Sequence, residues 1–371
     1  MRDIQIIYFS RSFFPSRAAN SIHLMKMTRA ISKLYSKVTL VGFKSKTIDI
    51  SEEEVFEKYD VEPTFTLKLI KTPRRGIAVY YILYVFFSLL FRPRKNIIIY
   101  SREINISYLS ILLGFNVILE SHDFFRTRIK RYIEPTTLKS EKLLKLVVIS
   151  AALKKDYLDN YHLLSKIEVH PDAADIVCET KHTETPWPGR REVLQIGYFG
   201  HLYEGRGIEI IIDAAKRLDE FDFHVIGGND PDIKKYKNMG LPDNITFHGF
   251  VEQKGLPGLR SRCDILLLPY QEKVGIYNSD SDTARWMSPM KLFEYMSSNK
   301  AIVSSDLPVL REVLNRENSI LVKSNAVAEW EKAIVSLKDK IFRERIGQKA
   351  YDDFNKKYTW DKRAQNIFYD L

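Results

Sequence analysis

The chain has 371 residues, 45% of them hydrophobic and 28% charged, with a formal net charge of +10 at pH 7 and two cysteines. That length exceeds one ordinary core and predicts two domains, and the composition is that of a soluble globular protein rather than a disordered one. Cys178 and Cys263 stand far apart with no CxxC, which argues against a disulfide framework or cysteine zinc site and fits a reducing cytoplasm.

The N-terminal MRDIQIIYFS reads as a strand rather than a signal peptide. Residues 4–9 form that strand, and a polar loop, SRSFFPSRAANS, follows. Leu24, Met27, Ile31 and Leu34 then recur at helical spacing, and Lys37–Phe43 is the next strand. This is a βαβ unit, with its loop at the carboxyl end of the first strand, where open α/β sheets bind ligands. Further strands are expected at 67–70, 97–100, 116–120, 146–149 and near 167–170, with a helix at about 151–160.

Between them lies Ile77–Phe91, uncharged, with Arg74 and Arg75 before it and Arg92, Arg94 and Lys95 after it. It is shorter than the ~20 residues of a spanning helix. Two readings stand: an interfacial helix on anionic lipid, or a buried helix of the first domain. The basic charge likewise fits an anionic membrane surface, a phosphorylated substrate or simple solubility. No nucleic-acid-binding module is recognisable, so nucleic acid is not an expected partner.

Two strand ends in this half carry polar residues. Ser101-Arg102-Glu103 follows IIIY, where Arg102 either faces a ligand or pairs with Glu103 or Glu120. Glu120-Ser121-His122-Asp123 follows NVIL, and a histidine at the carboxyl end of a parallel strand is a candidate for contacting substrate.

Residues 178–192 are polar and proline-containing and read as an interdomain linker. The alternation then restarts. Val193–Phe199 is a strand, Gly200–Gly207 (GHLYEGRG) a glycine-bearing loop, and Ile208, Ile211, Ile212, Ala215 and Leu218 mark a helix face. Strands follow at 221–226, 244–248 and 265–268, then a stretch from Trp286 to Leu314, a strand near 319–322, helices over 326–350 and a helical tail over 351–371. Two such halves predict two doubly wound α/β domains facing each other.

The loop GHLYEGRG lacks the GxGxxG spacing and is weak evidence by itself. Its place between strand and helix lets Gly200, Gly205 and Gly207 bring backbone close to a phosphate, with Arg206 placed to clamp a diphosphate. The plainer alternative is a strand–helix turn with a surface arginine. Ser288-Pro289 before Met290 reads as a helix start, which favours a bound phosphate, and Lys291 and Glu294 lie on neighbouring positions of one face. Asp280-Ser281-Asp282 sits in a polar loop, VGIYNSDSDTARW, and no metal site is expected from it. No Ser/His/Asp or Cys/His arrangement and no GxxxxGK[ST] loop is evident.

Taken together, GHLYEGRGIEIIIDAA, SPMKLFEYMSSNKAIVSSDLPVLREVL, EVHPDAAD, ANSIHLMKMTRAISKL and YTWDKRAQNIF resemble a retaining glycosyltransferase of the two-Rossmann-domain GT-B type, in family 4 (glycosyl transferases group 1), as found in bacterial surface-glycan assembly. The resemblance covers nearly the whole chain. It implies an acceptor domain over 1–177, with 351–371 packing back on it, and a nucleotide-sugar donor domain over 193–350. It further implies that Arg206 and Lys291 neutralise the donor diphosphate and that Glu294 binds ribose. By the same likeness His122 contacts the donor sugar, and Gly249, Phe250 and Val251 lie near the base. Gly200, His201, Gly205, Gly207, Ser288, Pro289 and Met290 complete the donor site, and Asn20 and Arg102 are further possible members.

Two positions depart from the family pattern. Trp286 stands where the first glutamate of its E-x7-E motif falls, so Asp280, Asp282 or the backbone amides of Ser288–Met290 are left to serve the sugar. His201 stands where arginine is frequent. The resemblance implies no cofactor or metal, a nucleotide-diphosphate sugar and a glycan or lipid-linked acceptor as partners, and a cytoplasmic protein at the inner face of a membrane. The rivals are a GT-B binding or scaffold protein with impaired chemistry, which Trp286 favours, and a nicotinamide-dependent oxidoreductase, which the missing GxGxxG disfavours.

Overall fold

A computed structural model of the protein describes residues 2–124, 127–161, 166–177, 187–190, 192–276 and 279–371. Cys178 and most of the expected linker, 178–186 and 191, lie outside the described residues, as does the side chain of Asp280. The chain forms two compact units, Met1–Asp172 with Trp360–Leu371, and Ala173–Thr359.

The first unit is built on β1 (Arg2–Phe14), β2 (Tyr35–Lys44), β3 (Thr66–Ile70), β4 (Ile97–Ser101), β5 (Asn116–Ser121), β6 (Leu143–Val148) and β7 (Ile167–Val169). All pair in parallel, in the order β3-β2-β1-β4-β5-β6-β7. A parallel sheet needs cover on both faces, and accordingly every residue of β4 is buried. The order reverses between β1 and β4, and loops leaving the carboxyl ends there are where such sheets take ligands.

β1 runs to Phe14, beyond the loop expected from Ser10. The register shifts between Phe9 and Phe13 and then resumes, because Phe13 stacks on Phe43 of β2 and Phe14 is fully buried. The apolar run 77–91 forms the helix Ile77–Leu90, which buries Tyr81, Val85 and Leu89 and leaves Val79, Leu83 and Phe87 outward. Burial of the first face agrees with the expectation of a helix packed in the first domain, and the second face is exposed. No helix among the described residues is long and apolar enough to cross a membrane.

The returning segment begins at Trp360, not at 351. The helix Lys340–Lys357 still packs on the second unit, burying Ile346, Ala350 and Phe354. After Thr359 the helix Trp360–Ile367 lies against the helix Ala19–Ser32, with Lys33 Nζ donating to Asp361 at 2.7 Å.

The second unit carries β8 (Gln195–Phe199), β9 (Asp222–Ile226), β10 (Ile245–Gly249), β11 (Ile265–Leu268), β12 (Gly275–Ile276), β13 (Ser279–Asp282), β14 (Ala301–Ser305) and β15 (Ile320–Val322). Six of these form a second parallel sheet, β10-β9-β8-β11-β14-β15, with its switch point between β8 and β11. One face is covered by the helix Ile208–Arg217 through Ile208, Ile211 and Ile212, and by Trp330 and Ile334. The helix Met290–Met296 contributes Leu292, Phe293 and Met296 to a second core cluster, with Phe354. β12 and β13 pair as an antiparallel hairpin where the sequence reads as a polar loop.

Candidate active site

In the second unit, the loop after β8 and the loop after β11 meet at the switch point. The glycines explain how. A Cβ on Gly205 would fall 2.0 Å from the Lys273 carbonyl oxygen, and one on Gly207 would fall 1.9 Å from that of Pro269. Both also have positive φ, 79° and 76°, a region costly for residues with a Cβ. On their Cβ side these two glycines therefore admit the backbone of the neighbouring loop. The Gln271 N–H donates to the Gly205 carbonyl at 2.9 Å and closes the junction.

Two cations converge there. Lys291, in the first turn of the helix Met290–Met296, donates from Nζ to the Tyr198 hydroxyl at 3.0 Å and lies 4.2 Å from the centre of that ring. The Arg206 guanidinium and Lys291 Nζ both sit over the Tyr270 ring, at 5.0 and 4.8 Å. Aromatic faces attract such cations. Gly200 makes room, since a Cβ on it would fall 2.9 Å from Lys291 Nζ. Burial and the Arg206 charge hold the Lys291 ammonium well below the usual lysine range, with Glu294 opposing. Arg206 Nε is buried without a hydrogen-bond partner. Like charges held together in a partly dry site, with an unused donor, are arranged for an anion.

Glu294 is fixed by Arg260, whose Nη1 lies 3.3 Å from its Oε2 and whose Nε donates to Ser298 at 3.1 Å. Arg260 is itself buried over the Phe199 ring. Glu294 thus holds one oxygen against a rigid partner on the helix that carries Lys291. His201 stacks on Tyr203 with the rings 6° from parallel, and desolvation, Arg206 and Lys291 depress its imidazole. Ser288, Pro289 and Met290 are half-buried, with Pro289 as the extended residue before the helix. Gly249, at φ 75°, accepts from the Gly227 N–H at 2.7 Å; Phe250 is exposed and Val251 packs on the core.

Trp286 is buried, and an indole offers one donor and no acceptor, so it cannot replace a carboxylate toward a sugar. Asp282 does not fill that gap freely either. Its Oδ1 accepts from the Val274 and Ala284 N–H groups, both at 2.9 Å, and braces the hairpin.

In the first unit, His122 leaves the end of β5 and hydrogen-bonds through Nε2 to Glu120. Glu120 is fully buried and is a hub: Tyr100 donates to its Oε2, Arg363 reaches the same oxygen at 3.1 Å, and His23 Nε2 lies 3.0 Å from Oε1. Burial pushes its carboxyl up, but Arg363, His23 and the His122 hydrogen bond outweigh it and hold it well below the ordinary range. Burial and the Arg102 charge lower His122 to about 4. His122 is therefore a neutral imidazole at pH 7, donating from Nε2 and leaving Nδ1 as an acceptor.

Arg102 hydrogen-bonds to Asn20 and stays 4.0 Å from Glu120, while Glu103 pairs with Arg11. Asn20 and Arg102 are thus brought together, and Asn20 in turn donates to Ser12. His23, His122 and Asp172 offer ligand atoms within 4.8 Å of one another. His23 hydrogen-bonds through Nδ1 to Asp172 at 2.8 Å, while its Nε2 faces Glu120 Oε1 at 3.0 Å without a hydrogen bond.

Sequence reasoning missed Tyr198, Tyr270, Arg260, His23, Asp172 and Arg363. Tyr198 lies one residue before the end of β8 and Tyr270 two residues beyond β11, positions near strand ends that could have drawn notice. Arg260 and Arg363 carry no local signal.

Residues 194–340 match the family model described as glycosyl transferases group 1. Over 120 residues the chain is 26% identical to a putative teichuronic acid biosynthesis glycosyltransferase, TuaH, of Bacillus subtilis (strain 168). That alignment spans 32% of this chain and only 28% of the relative. Among solved structures, Anabaena HepE in complex with UDP superimposes with TM-score 0.70 at 15% identity, covering 98% of each chain. Sucrose-phosphate synthase from Thermosynechococcus elongatus gives 0.72 at 14%, covering 98% of this chain and 97% of that one. TarM of S. aureus gives 0.71 at 10%, covering 99% of each. The fold is GT-B, with two Rossmann-like units.

Proposed function

For a GT-B chain whose residues 194–340 match the family model of glycosyl transferases group 1, we propose transfer of a sugar from a nucleotide-diphosphate donor to a glycan or lipid-linked acceptor, with retention of anomeric configuration, as in family 4. The observation that carries this reading is the convergence of Arg206 and Lys291 over Tyr270 at the switch point of the second sheet. Relatives support the class. HepE has been crystallised with UDP-glucose, and the TuaH name refers to teichuronic acid biosynthesis. Cell-surface polysaccharide assembly is the role we favour.

In this reading the bond between the sugar's anomeric carbon and the diphosphate oxygen breaks. Negative charge builds on the diphosphate, where Arg206 and Lys291 stand preorganised. The acceptor hydroxyl attacks from the leaving group's side, and its proton passes to the departing phosphate oxygen. These cations supply the charge that a metal supplies elsewhere, so we propose a metal-independent hexosyltransferase. Glu294, steadied by Arg260, receives the ribose hydroxyls, and Gly249–Val251 flank the base. His122 is the first unit's candidate for the transferred sugar, offering its neutral Nδ1.

Thermal shift with a panel of nucleoside diphosphates and their sugars tests this, because a ligand that binds the native state raises its melting temperature. One base and sugar should stand out, and the shift should vanish in Arg206→Ala. Stabilisation by NADH and by no nucleotide sugar would favour the oxidoreductase. Trp286 favours a second reading, a donor-binding protein with impaired chemistry. It predicts the thermal shift without turnover.

A further inference from the structure

The helix Ile77–Leu90 is apolar on two opposite faces. Tyr81, Val85 and Leu89 are fully buried in the first unit. On the other side Val79, Leu83, Phe87 and, just past the end, Phe91 are 63%, 50%, 64% and 89% exposed. These four stand at successive i+4 positions and so form one stripe, about 18 Å long at 1.5 Å per residue. A helix that serves only a core shows polar residues there.

Charge says what covers the stripe. Residues 71–96 hold Lys71, Arg74, Arg75, Arg92, Arg94 and Lys95 and no Asp or Glu. Arg74 and Arg75 precede the helix and are exposed, as is Lys95 beyond it. Arg94 is also exposed, although its guanidinium donates to the carbonyls of Leu90, Arg92 and Leu113 and closes the helix end. We propose that this face docks on an anionic lipid bilayer, with Val79, Leu83, Phe87 and Phe91 sunk to the acyl boundary and the flanking cations on lipid phosphates. A second copy of the chain is disfavoured, because a two-fold contact through this stripe would bring two such all-basic segments together. The helix is too short to span, so the contact is peripheral.

The test is co-sedimentation of the full chain with vesicles of phosphatidylcholine alone or mixed with phosphatidylglycerol. Binding should require phosphatidylglycerol and weaken with salt. Leu83→Ser with Phe87→Ser should weaken it at least about tenfold. Arg74→Gln, Arg75→Gln and Lys95→Gln together should weaken it on the order of a hundredfold. Because all five side chains are exposed, the variants should keep the wild-type urea midpoint, which is measured alongside. Binding that ignores phosphatidylglycerol, or survives the Leu83/Phe87 substitutions, overturns the proposal. So does a solution dimer that the same substitutions dissolve, which would assign the stripe to a second copy. Donor cleavage in lipid-free solution reports on the proposed activity separately, so either reading can fail alone.

Discussion

Arg363 donates to Glu120 at 3.1 Å although the two lie 243 residues apart in sequence, and the last helix is thereby tied to the strand that positions His122. Both side chains are buried. Arg363 also donates to the carbonyls of Pro171 and His170. Removing one partner of such a pair leaves an uncompensated buried charge. Arg363→Met should therefore lower the stability of the first unit by about 3–5 kcal/mol, read as a fall in its urea midpoint. An unchanged midpoint would show that the helix is held by Trp360, Ala364 and Ile367 alone.

The same hub sets a pH dependence. His122 is lowered to about 4 in the folded protein, whereas an unfolded histidine titrates near about 6.5. Between those values the unfolded chain binds a proton that the native chain refuses, so stability is lost as pH falls through that window. His224 in the second unit, also lowered to about 4 by burial and then by His248, acts in the same direction. Equilibrium unfolding from pH 7 to 4 should show the loss, and His122→Gln should remove its own share, leaving that of His170, which burial also lowers.

Lys291 gives the opposite kind of linkage. Burial and Arg206 hold its pKa well down in the free protein, and a bound diphosphate would raise it. Nucleoside diphosphate binding should therefore take up a proton at pH values between the depressed value and the ordinary lysine value of about 10.4. Calorimetry in buffers of different ionisation heat would detect it, and Lys291→Met should abolish it.

Gly207→Ala tests the packing of the two loops. Its Cβ would fall 1.9 Å from the Pro269 carbonyl oxygen at φ 76°. A cost of about 2–4 kcal/mol is expected from overpacking and left-handed strain combined, with donor affinity reduced because Arg206 is the adjacent residue. Wild-type stability in this variant would mean that the loops separate freely.

What could be read from the sequence was local. The change from the apolar run before Gly200 to the spacing of Ile208, Ile211, Ile212 and Ala215 marked the strand, loop and helix that place Arg206. The short helix with Lys291 and Glu294 was equally visible. Arg260 against Glu294 and Arg363 against Glu120 were not, because partners 34 and 243 residues apart leave no periodic trace. The extension of β1 to Phe14 was hidden in polar-looking sequence, since Phe13 and Phe14 reveal their role only once β2 supplies Phe43. The sequence pattern of the loop glycines does not reveal that their missing Cβ atoms admit the Lys273 and Pro269 backbone.

The central claim is that Arg206 and Lys291 stabilise a departing nucleoside diphosphate. The most direct measurement is the rate of nucleoside diphosphate release from the best-binding nucleotide sugar, in the presence of an acceptor, for the wild type, Arg206→Ala and Lys291→Ala. Each variant should lose about a hundred- to a thousandfold in kcat while its urea midpoint stays near that of the wild type. Release at the wild-type rate in both variants would contradict it.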